Sequence, residues 1–203
     1  DGSTDGTREI LKQIPFSSPS RGEGKGGGDK GDTKIILKEK NEGKGSAIRE
    51  GLKNATGDVV VIQDADMEYD PMDWLEMLKV MKEKNASVVY GSRFLCKDNE
   101  FPFLNRTANR FLTLLTNMLF FAKTTDMETC YKLCSKELLL SLNLKTNSFE
   151  IEPEITCKIL KSGCRIEEVP VVYRPRNKTA GKKIGWKDGF KAVYYIIKYR
   201  FVS

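Results

Sequence analysis

The 203-residue sequence predicts a single α/β domain (residues 1–203) whose sheet is mostly parallel and is flanked by helices. The length is suited to one domain with a sizeable core, and 39% hydrophobic with 31% charged residues is typical of a globular chain. Short β-branched runs alternate with helical patterns through the first half. That alternation is typical of βα units, which build parallel sheets.

The N-terminal elements begin with a turn and a loop. Asp1–Thr7 is a cluster of turn residues, followed by the start of a short helix. Residues 17–32 are low in complexity and rich in Gly, Ser and charge, which predicts a solvated loop. A strand is expected at Thr33–Glu39 and a helix at Ser46–Asn54.

The next segments repeat the strand–helix pattern. Asp58–Gln63 is a β-branched run of the buried parallel type, and residues 87–91 form a similar run. Between them, Asp70 and Pro71 predict a helix start, with an N-cap followed by an N1 proline. One apolar face of this helix is predicted to contain Trp74, Leu75, Leu78 and Met81.

The second half is less regular but still alternates. Helices are expected at residues 105–122, just after Ser135, and at residues 153–161. An extended segment follows at residues 166–173, and an amphipathic helix is expected from Trp186 to Arg200.

Charge and side-chain inventory limit the function. The net charge of +6 favours anionic partners, whether nucleic acid, phosphorylated substrates or an acidic membrane surface. The chain has no histidine, which excludes Ser-His-Asp and Cys-His mechanisms. Its five cysteines match no common zinc spacing, so free thiols in a reducing compartment are the simplest expectation.

A group of acids follows the strand predicted at Asp58–Gln63. Ligands of open parallel sheets bind at the carboxyl ends of strands, where Asp64 and Asp66 are expected. These two carboxylates can share Mg²⁺ or Mn²⁺, with the remaining ligands supplied by a diphosphate and water. Such an ion would neutralise a departing nucleoside diphosphate. The alternative is a solvated acidic turn that caps the next helix.

A glycine-containing turn, NEGKG, precedes the helix predicted at Ser46–Asn54. Backbone N–H groups at a helix start can face a phosphate, and Lys44 would add a positive charge. The spacing is not that of a P-loop, and an ordinary loop-to-helix turn is the alternative.

Several motifs occur in an order that resembles a known family. DGSTDGT, NEGKGSAIREG, VVIQDADMEYDP and VVYGSRF resemble family-2 glycosyltransferases of the GT-A fold. TDMETCYK, FEIEPEITCKI and EEVPVVYRPRNKTAGKKIGWKDG resemble the branch of dolichyl- or polyprenyl-phosphate hexose synthases. The resemblance covers nearly the whole chain outside the low-complexity segment.

The resemblance implies transfer of a hexose from a UDP- or GDP-linked donor to a polyprenyl or dolichyl phosphate, with Mg²⁺ or Mn²⁺ and inversion at the anomeric carbon. On the donor side it implies that Asp1 binds the nucleotide, and that Asp64 and Asp66 bind the metal and the diphosphate. It places Glu68 in the same metal shell, and it makes Asp66 and Arg93 the catalytic residues.

Four basic residues are the candidates for binding the acceptor phosphate. Arg106 and Arg110 lie one helical turn apart, so they share a face that could bind a lipid phosphate. By the resemblance, Lys182 and Lys183 belong to a basic loop that closes over the site. A plain surface helix and an ordinary basic loop are the alternatives for these four residues. An acceptor phosphate is already anionic, so the reaction needs no strong general base.

Two segments, residues 101–122 and 186–201, are candidates for helices at a membrane interface. Neither contains an apolar run of the roughly 18 residues that spanning requires. Each could lie on a bilayer or bury the same face in the core. The expectation is a cytoplasmic enzyme, peripherally bound to the cytosolic face of a membrane, with no nucleic-acid partner.

The resemblance also implies an upstream strand and a P-x-Y-N-E-type loop that are not in the 203 residues. We therefore expect a partial sequence that folds weakly by itself. Alternative functions are transfer to a soluble or cell-surface glycan, sugar nucleotidyl transfer, or nucleic-acid binding. A sugar nucleotidyltransferase would contain a G-x-G-T-R-type loop, which this sequence lacks. The acids at Asp64–Asp70 argue against nucleic-acid binding.

Overall fold

Helices and strands alternate along most of the chain. The computed structural model describes residues 7, 9–10, 34–99, 102–175 and 186–202, with the side chains of 186 and 187 excepted. The elements, numbered here from the first one bounded, are α1 (Lys44–Asn54), β1 (Val59–Ile62), α2 (Asp73–Glu83), β2 (Val88–Ser92), α3 (Phe103–Phe120), β3 (Lys132–Ser135), α4 (Lys136–Ser141), α5 (Ile151–Lys161), β4 (Glu167–Pro170) and α6 (Trp186–Phe201).

The four described strands form one sheet in the order β1-β3-β2-β4. β2 pairs with β4 in parallel, whereas β3 runs antiparallel to both β1 and β2. Three strands thus share one direction and the α/β prediction is confirmed, but the sheet is mixed. β3 was not predicted, because its sequence KLCS has neither a β-branched run nor an alternating pattern; pairing on both sides makes it a strand.

Alternating side chains of the sheet pack into two layers of helices. Val88 and Tyr90 contribute to a core with α1, α4 and α5, whereas Val89 between them contributes to a core with α2. This period of two is what a strand buried on both faces requires. A third apolar cluster joins α3, α5 and α6, and it contains Leu112, Met127, Cys157, Ala192, Ile196 and Tyr199.

The start of α2 differs from the prediction. Its N-cap is Met72 and not Asp70, although Asp70 Oδ1 accepts a hydrogen bond from Met72 N at 2.9 Å in the turn that leads into the helix. Ser135 is the N-cap of α4, and its hydroxyl accepts from Leu138 N. All five cysteines lie in described ranges and are free thiols, in agreement with the sequence prediction.

Three further expectations were wrong. The run at Asp58–Gln63 was predicted to be a buried parallel strand, but among the described strands β1 pairs only with the antiparallel β3, and its first three residues are exposed or half-buried. Residues 34–40 belong to no strand, since no described strand lies beside them to complete a ladder; Lys38 instead bonds Glu42 and Ser46. Leu75 is 62% exposed, because the buried face of α2 runs through Met77 and Met81, which are one turn apart.

Candidate active site

One edge of the sheet brings the functional side chains together. Ile62 and Tyr90, near the carboxyl ends of β1 and β2, both lie opposite Lys132 at the start of β3. The segments that leave or enter the sheet at this edge therefore converge there: the turn after β1, the turn after β2, and the residues before β3. This is the edge at which open sheets bind ligands.

The turn after β1 carries the predicted metal ligands. Met67 adopts a left-handed backbone with φ of 59°, and Glu68 N donates to Asp66 Oδ1 at 3.2 Å. Gln63 joins this turn to α2, because its Oε1 accepts from Trp74 Nε1 at 3.2 Å. The acids are therefore held in a bonded turn and are not a loose solvated cluster.

The metal site at Asp64, Asp66 and Glu68 stays a prediction. In the part of the chain that the structure describes, no three acidic or thiol side chains are close enough together to hold an ion by themselves. Asp64, Asp66 and Glu68 thus do not form a complete metal cage. The two aspartates still fit an ion whose remaining ligands are diphosphate oxygens and water, since Mg²⁺ and Mn²⁺ are commonly bound that way. Glu68 lies beside Tyr173, whose pKa is raised by burial and then by this carboxylate.

Lys44 lies directly under the turn after β1. Its ammonium is 2.7 Å from Asp64 Oδ2 and 2.8 Å from Glu152 Oε1, so it bridges a predicted metal ligand and a carboxylate of α5. Burial would lower the pKa of this amine, but Glu152 and Asp64 outweigh burial and raise it above its usual range. Lys44 is therefore charged and already paired on two sides.

Glu152 continues the same chain of charges. It is 3% exposed, and its other oxygen binds the ammonium of Lys132, a fully buried residue that also donates to Thr129 O. Burial alone would raise the pKa of Glu152, but Lys132 and Lys44 lower it to about 2. Asp64, Lys44, Glu152 and Lys132 therefore form one alternating line of charges from the site edge into the core.

Arg93 is held rigidly in the turn after β2. Its Nε donates to Asp126 Oδ2 and its Nη2 to Asp126 Oδ1, both at 2.7 Å, and its backbone N–H donates to the same carboxylate at 3.0 Å. The guanidinium also lies 5.4 Å from the centroid of the Tyr173 ring. The predicted catalytic arginine is thus only 7% exposed and points into this pair.

The loop before β3 is fixed by one carboxylate of β4. Glu168 accepts from Thr124 Oγ1 at 2.7 Å, from Thr125 N at 2.8 Å and from Asp126 N at 3.2 Å. Three donors on consecutive residues give the loop one conformation. Glu168 therefore positions Asp126, and through it Arg93.

Buried oxygens near this edge that accept no hydrogen bond from the described residues include Tyr69 Oη and Glu128 Oε1, and Glu152 Oε1 has only its ion pair with Lys44. Burial raises the pKa of Glu128 from 4.5 to about 7, against the opposing effect of Lys132. Unpaired buried oxygens are unfavourable unless a ligand or water satisfies them.

Arg106 and Arg110 are both exposed on the first turns of α3. The Arg110 guanidinium lies 5.6 Å from the centroid of the Phe94 ring, one residue after Arg93, so the start of α3 borders the site. Asp1, Lys182 and Lys183 lie outside the described residues.

Sequence reasoning missed three buried charges of the site, Asp126, Lys132 and Glu152, and the half-buried Glu168. Their roles depend on contacts between distant segments, such as that between Lys44 and Glu152. A partial signal was present, since Glu152 lies between Ile151 and Pro153 and Lys132 lies between Tyr131 and Leu133. Charged residues in apolar runs are rarely buried unless they are paired.

Solved structures share this fold. The glucosyl-3-phosphoglycerate synthase of Mycobacterium tuberculosis, solved with Mn²⁺, uridine diphosphate and phosphoglyceric acid, gives a TM-score of 0.57 at 16% identity, over 79% of this chain and 55% of that one. A second structure of the same enzyme, with Mn²⁺, UDP-glucose and phosphoglyceric acid, gives 0.55 at 17% identity, over 79% and 56%. The fold is therefore that of the GT-A glycosyltransferases.

The chain belongs to glycosyl transferase family 2, whose model matches residues 1–142. The family match makes it a glycosyltransferase. An uncharacterized protein of Methanocaldococcus jannaschii is 27% identical over all of this chain and 86% of its own length. Two Haloferax volcanii proteins, the glycosyltransferase AglJ and the low-salt glycan biosynthesis hexosyltransferase Agl6, are 28% and 22% identical over 86% and 80% of this chain. The chain spans 52% and 40% of their lengths.

Proposed function

We propose that this glycosyltransferase moves a hexose from a UDP- or GDP-linked donor to a polyprenyl or dolichyl phosphate at a membrane surface, with inversion at the anomeric carbon. The main support for the proposal is the exposed surface of helix α3. Two exposed arginines adjoin the Arg93 turn, and an exposed apolar stripe continues from them along the same helix. An amphipathic acceptor with an anionic head has that distribution of charge and apolar surface.

On the donor side, the turn after β1 is the proposed diphosphate site. Asp64 and Asp66 would hold Mg²⁺ or Mn²⁺ together with the diphosphate. The ion supplies Lewis-acid stabilisation of the leaving diphosphate when bound. The bonded turn keeps both carboxylates preorganised for that ligand. Asp1 is proposed to contact the nucleotide, and Glu68 to complete the metal shell.

On the acceptor side, Arg106 and Arg110 are proposed to bind the lipid phosphate. They lie four residues apart on α3, so their guanidinium groups can reach one phosphate. Arg93 is clamped by Asp126, and it would act as a fixed positive charge near the reacting centre. Lys182 and Lys183 are proposed to close over the bound substrates.

The apolar stripe of α3 fits a lipid chain at an interface. α3 buries Leu112 and Thr116 against the core while its outer face remains apolar. The large apolar residues most exposed on and beside this helix are Phe103, Leu104, Phe111, Leu114, Met118 and Phe121. α6 likewise exposes Phe190, Tyr194, Ile197 and Phe201. None of the described helices has the length and hydropathy needed to cross a bilayer. The two helices therefore suit contact along a surface.

The proposal is tested with radiolabelled UDP-glucose, UDP-N-acetylglucosamine and GDP-mannose, each offered to polyprenyl phosphate with Mn²⁺ or Mg²⁺. Label should enter the lipid phase from one donor, and Asp66→Ala should abolish the transfer. Arg106→Ala and Arg110→Ala should each raise KM for the lipid roughly ten-fold, because a hydrogen bond to a charged group contributes about 1.5–3 kcal/mol.

Arg165→Ala is the matched control for the arginine variants. This exposed arginine binds Glu167 at the start of β4, which is the opposite edge of the sheet. Its replacement should leave KM unchanged. Label that enters only a soluble glycan, or arginine variants that behave like Arg165→Ala, would contradict a lipid-phosphate acceptor.

A hydroxyl acceptor is the second candidate, and Glu128 favours it. A hydroxyl must lose a proton during transfer, and a buried carboxyl whose pKa is raised to about 7 is suited to accept it. If Glu128→Gln abolishes transfer to a glycan while no label reaches lipid phosphate, this second function replaces the first.

A further inference from the structure

The donor-site turn is connected to helix α5 by a short line of buried ion pairs. Asp64 Oδ2 lies 2.7 Å from the Lys44 ammonium, which lies 2.8 Å from Glu152 Oε1. The side chains of Lys44 and Glu152 are only 13% and 4% exposed. Solvent therefore screens this pair far less than it screens a surface ion pair.

The backbone under Lys44 is also fixed. Ser46 N donates to Asn147 O at 3.0 Å, and a Cβ added to Gly43 or Gly45 would lie 2.5 or 2.4 Å from a carbonyl oxygen of the same loop. Gly43 in addition has a φ of 94°, which favours glycine. The turn that carries Lys44 is thus packed too closely to move away from Asp64.

Glu152 is held from its other side as well. Its Oε2 binds the ammonium of Lys132, which is fully buried and lies 5.0 Å from the centroid of the Tyr90 ring. Lys132 begins β3 at the site edge, so Glu152 is anchored to the sheet and cannot follow Lys44 if Lys44 moves. The carboxylate is therefore a fixed point between two cations.

This arrangement bears on how strongly Lys44 competes for Asp64. With Glu152 ionised, the positive charge of Lys44 is shared between two carboxylates, and Asp64 retains part of its attraction for a metal ion. Without the charge of Glu152, Lys44 would have Asp64 as its main counter-charge, and an incoming ion would have to displace it. Partners of this kind, which orient a ligand without touching the metal, commonly change metal affinity by about 10–100-fold.

We infer that Glu152 is a positioning residue for the donor site: by holding Lys44 between itself and Asp64, it fixes the Asp64 carboxylate and keeps it available to the metal–diphosphate. The inference rests on the proposed role of Asp64 in metal binding. Lys44 then acts mainly through Asp64, and not as a direct ligand of the donor phosphates.

The test measures binding of Mn²⁺ by titration calorimetry with UDP or GDP, whichever the wild-type chain binds more tightly. Glu152→Gln keeps the size of the side chain and removes its charge, and it should weaken Mn²⁺ binding about ten-fold. In turnover, KM for the nucleotide sugar should rise more than kcat falls. Glu150→Gln is the matched control, since Glu150 lies just before α5 and its 13% exposed side chain pairs with Lys191 of α6 and not with Lys44. It should leave Mn²⁺ affinity near that of the wild type.

A double-variant cycle distinguishes positioning from general destabilisation. In a Lys44→Met background, Glu152→Gln should change Mn²⁺ affinity about two-fold at most, because the residue through which it acts is absent. An equal loss in both backgrounds would overturn the inference, as would a loss in Glu150→Gln that matches Glu152→Gln. The Asp64→Asn variant distinguishes a failure of the proposed metal site from a failure of the proposed role of Glu152. Unchanged Mn²⁺ binding in that variant refutes the proposed metal site itself, whereas lost binding there with normal binding in Glu152→Gln refutes only the role of Glu152.

Discussion

Removal of the Asp126 charge should destabilise the fold more than any surface change, and Asp126→Asn is the variant that tests it. The carboxylate is fully buried and accepts three hydrogen bonds from Arg93, at 2.7, 2.7 and 3.0 Å. Asparagine keeps the volume but offers one acceptor oxygen and no charge. The guanidinium of Arg93 would then be buried without its counter-charge.

The magnitude follows from what Arg93 can do without its partner. Burial lowers the pKa of this guanidinium, whereas Asp126 raises it well above its usual range. Arginine does not deprotonate in proteins, so the variant would retain a buried positive charge. Breaking one side of a buried pair destabilises a protein by about 3–5 kcal/mol. That is a large part of the 5–15 kcal/mol that holds a typical domain folded.

Urea denaturation followed by circular dichroism measures this change. Glu76→Gln is the control, because Glu76 forms an exposed pair with Lys79 at 3.4 Å on α2. An exposed pair contributes between about 0 and 1 kcal/mol, so this variant should unfold almost as the wild type does. A difference between Asp126→Asn and the wild type below about 1 kcal/mol would refute the claim that the Arg93–Asp126 pair anchors the site.

Two further predictions concern the glycines of α1 and the proton of Glu128. Gly45→Ala should lower the free energy of unfolding by about 1–3 kcal/mol, because its Cβ would lie 2.4 Å from the Thr146 carbonyl oxygen. Gly51→Ala should raise the free energy of unfolding by about 0.5–1 kcal/mol, because the space around its Cβ is open. Urea melts that rank the two in the opposite order would disprove the close packing of α1 on the 145–148 loop. The folded chain keeps a proton on Glu128 between its usual pKa of 4.5 and about 7, so stability should fall as pH rises through that range. Glu128→Gln should remove a fall of roughly 3 kcal/mol, and identical pH profiles for variant and wild type would show that the group is not buried as described.

The predictions from sequence succeeded where local pattern is sufficient. The β-branched runs before Asp64 and Arg93 became β1 and β2. The acids were placed at a strand end because a β-branched run stops just before them, although the run did not reveal that β1 is antiparallel to β3 and only partly buried. β3 could not be predicted in that way, because its four residues become a strand only when β1 and β2 lie on either side.

The sequence by itself determined the α/β class, the ends of most helices, and the acidic run at Asp64–Glu68 with its motif order. These depend on hydrophobic period, capping residues and short-range spacing, all of which act within a few residues. Only the tertiary structure showed that Lys44 lies between Asp64 and Glu152, and that Asp126 clamps Arg93. The reason is that an ion pair between segments 20 to 108 positions apart leaves no periodic trace in the sequence. Such an ion pair is strong only where water is excluded, and water is excluded only after the sheet and helices have packed.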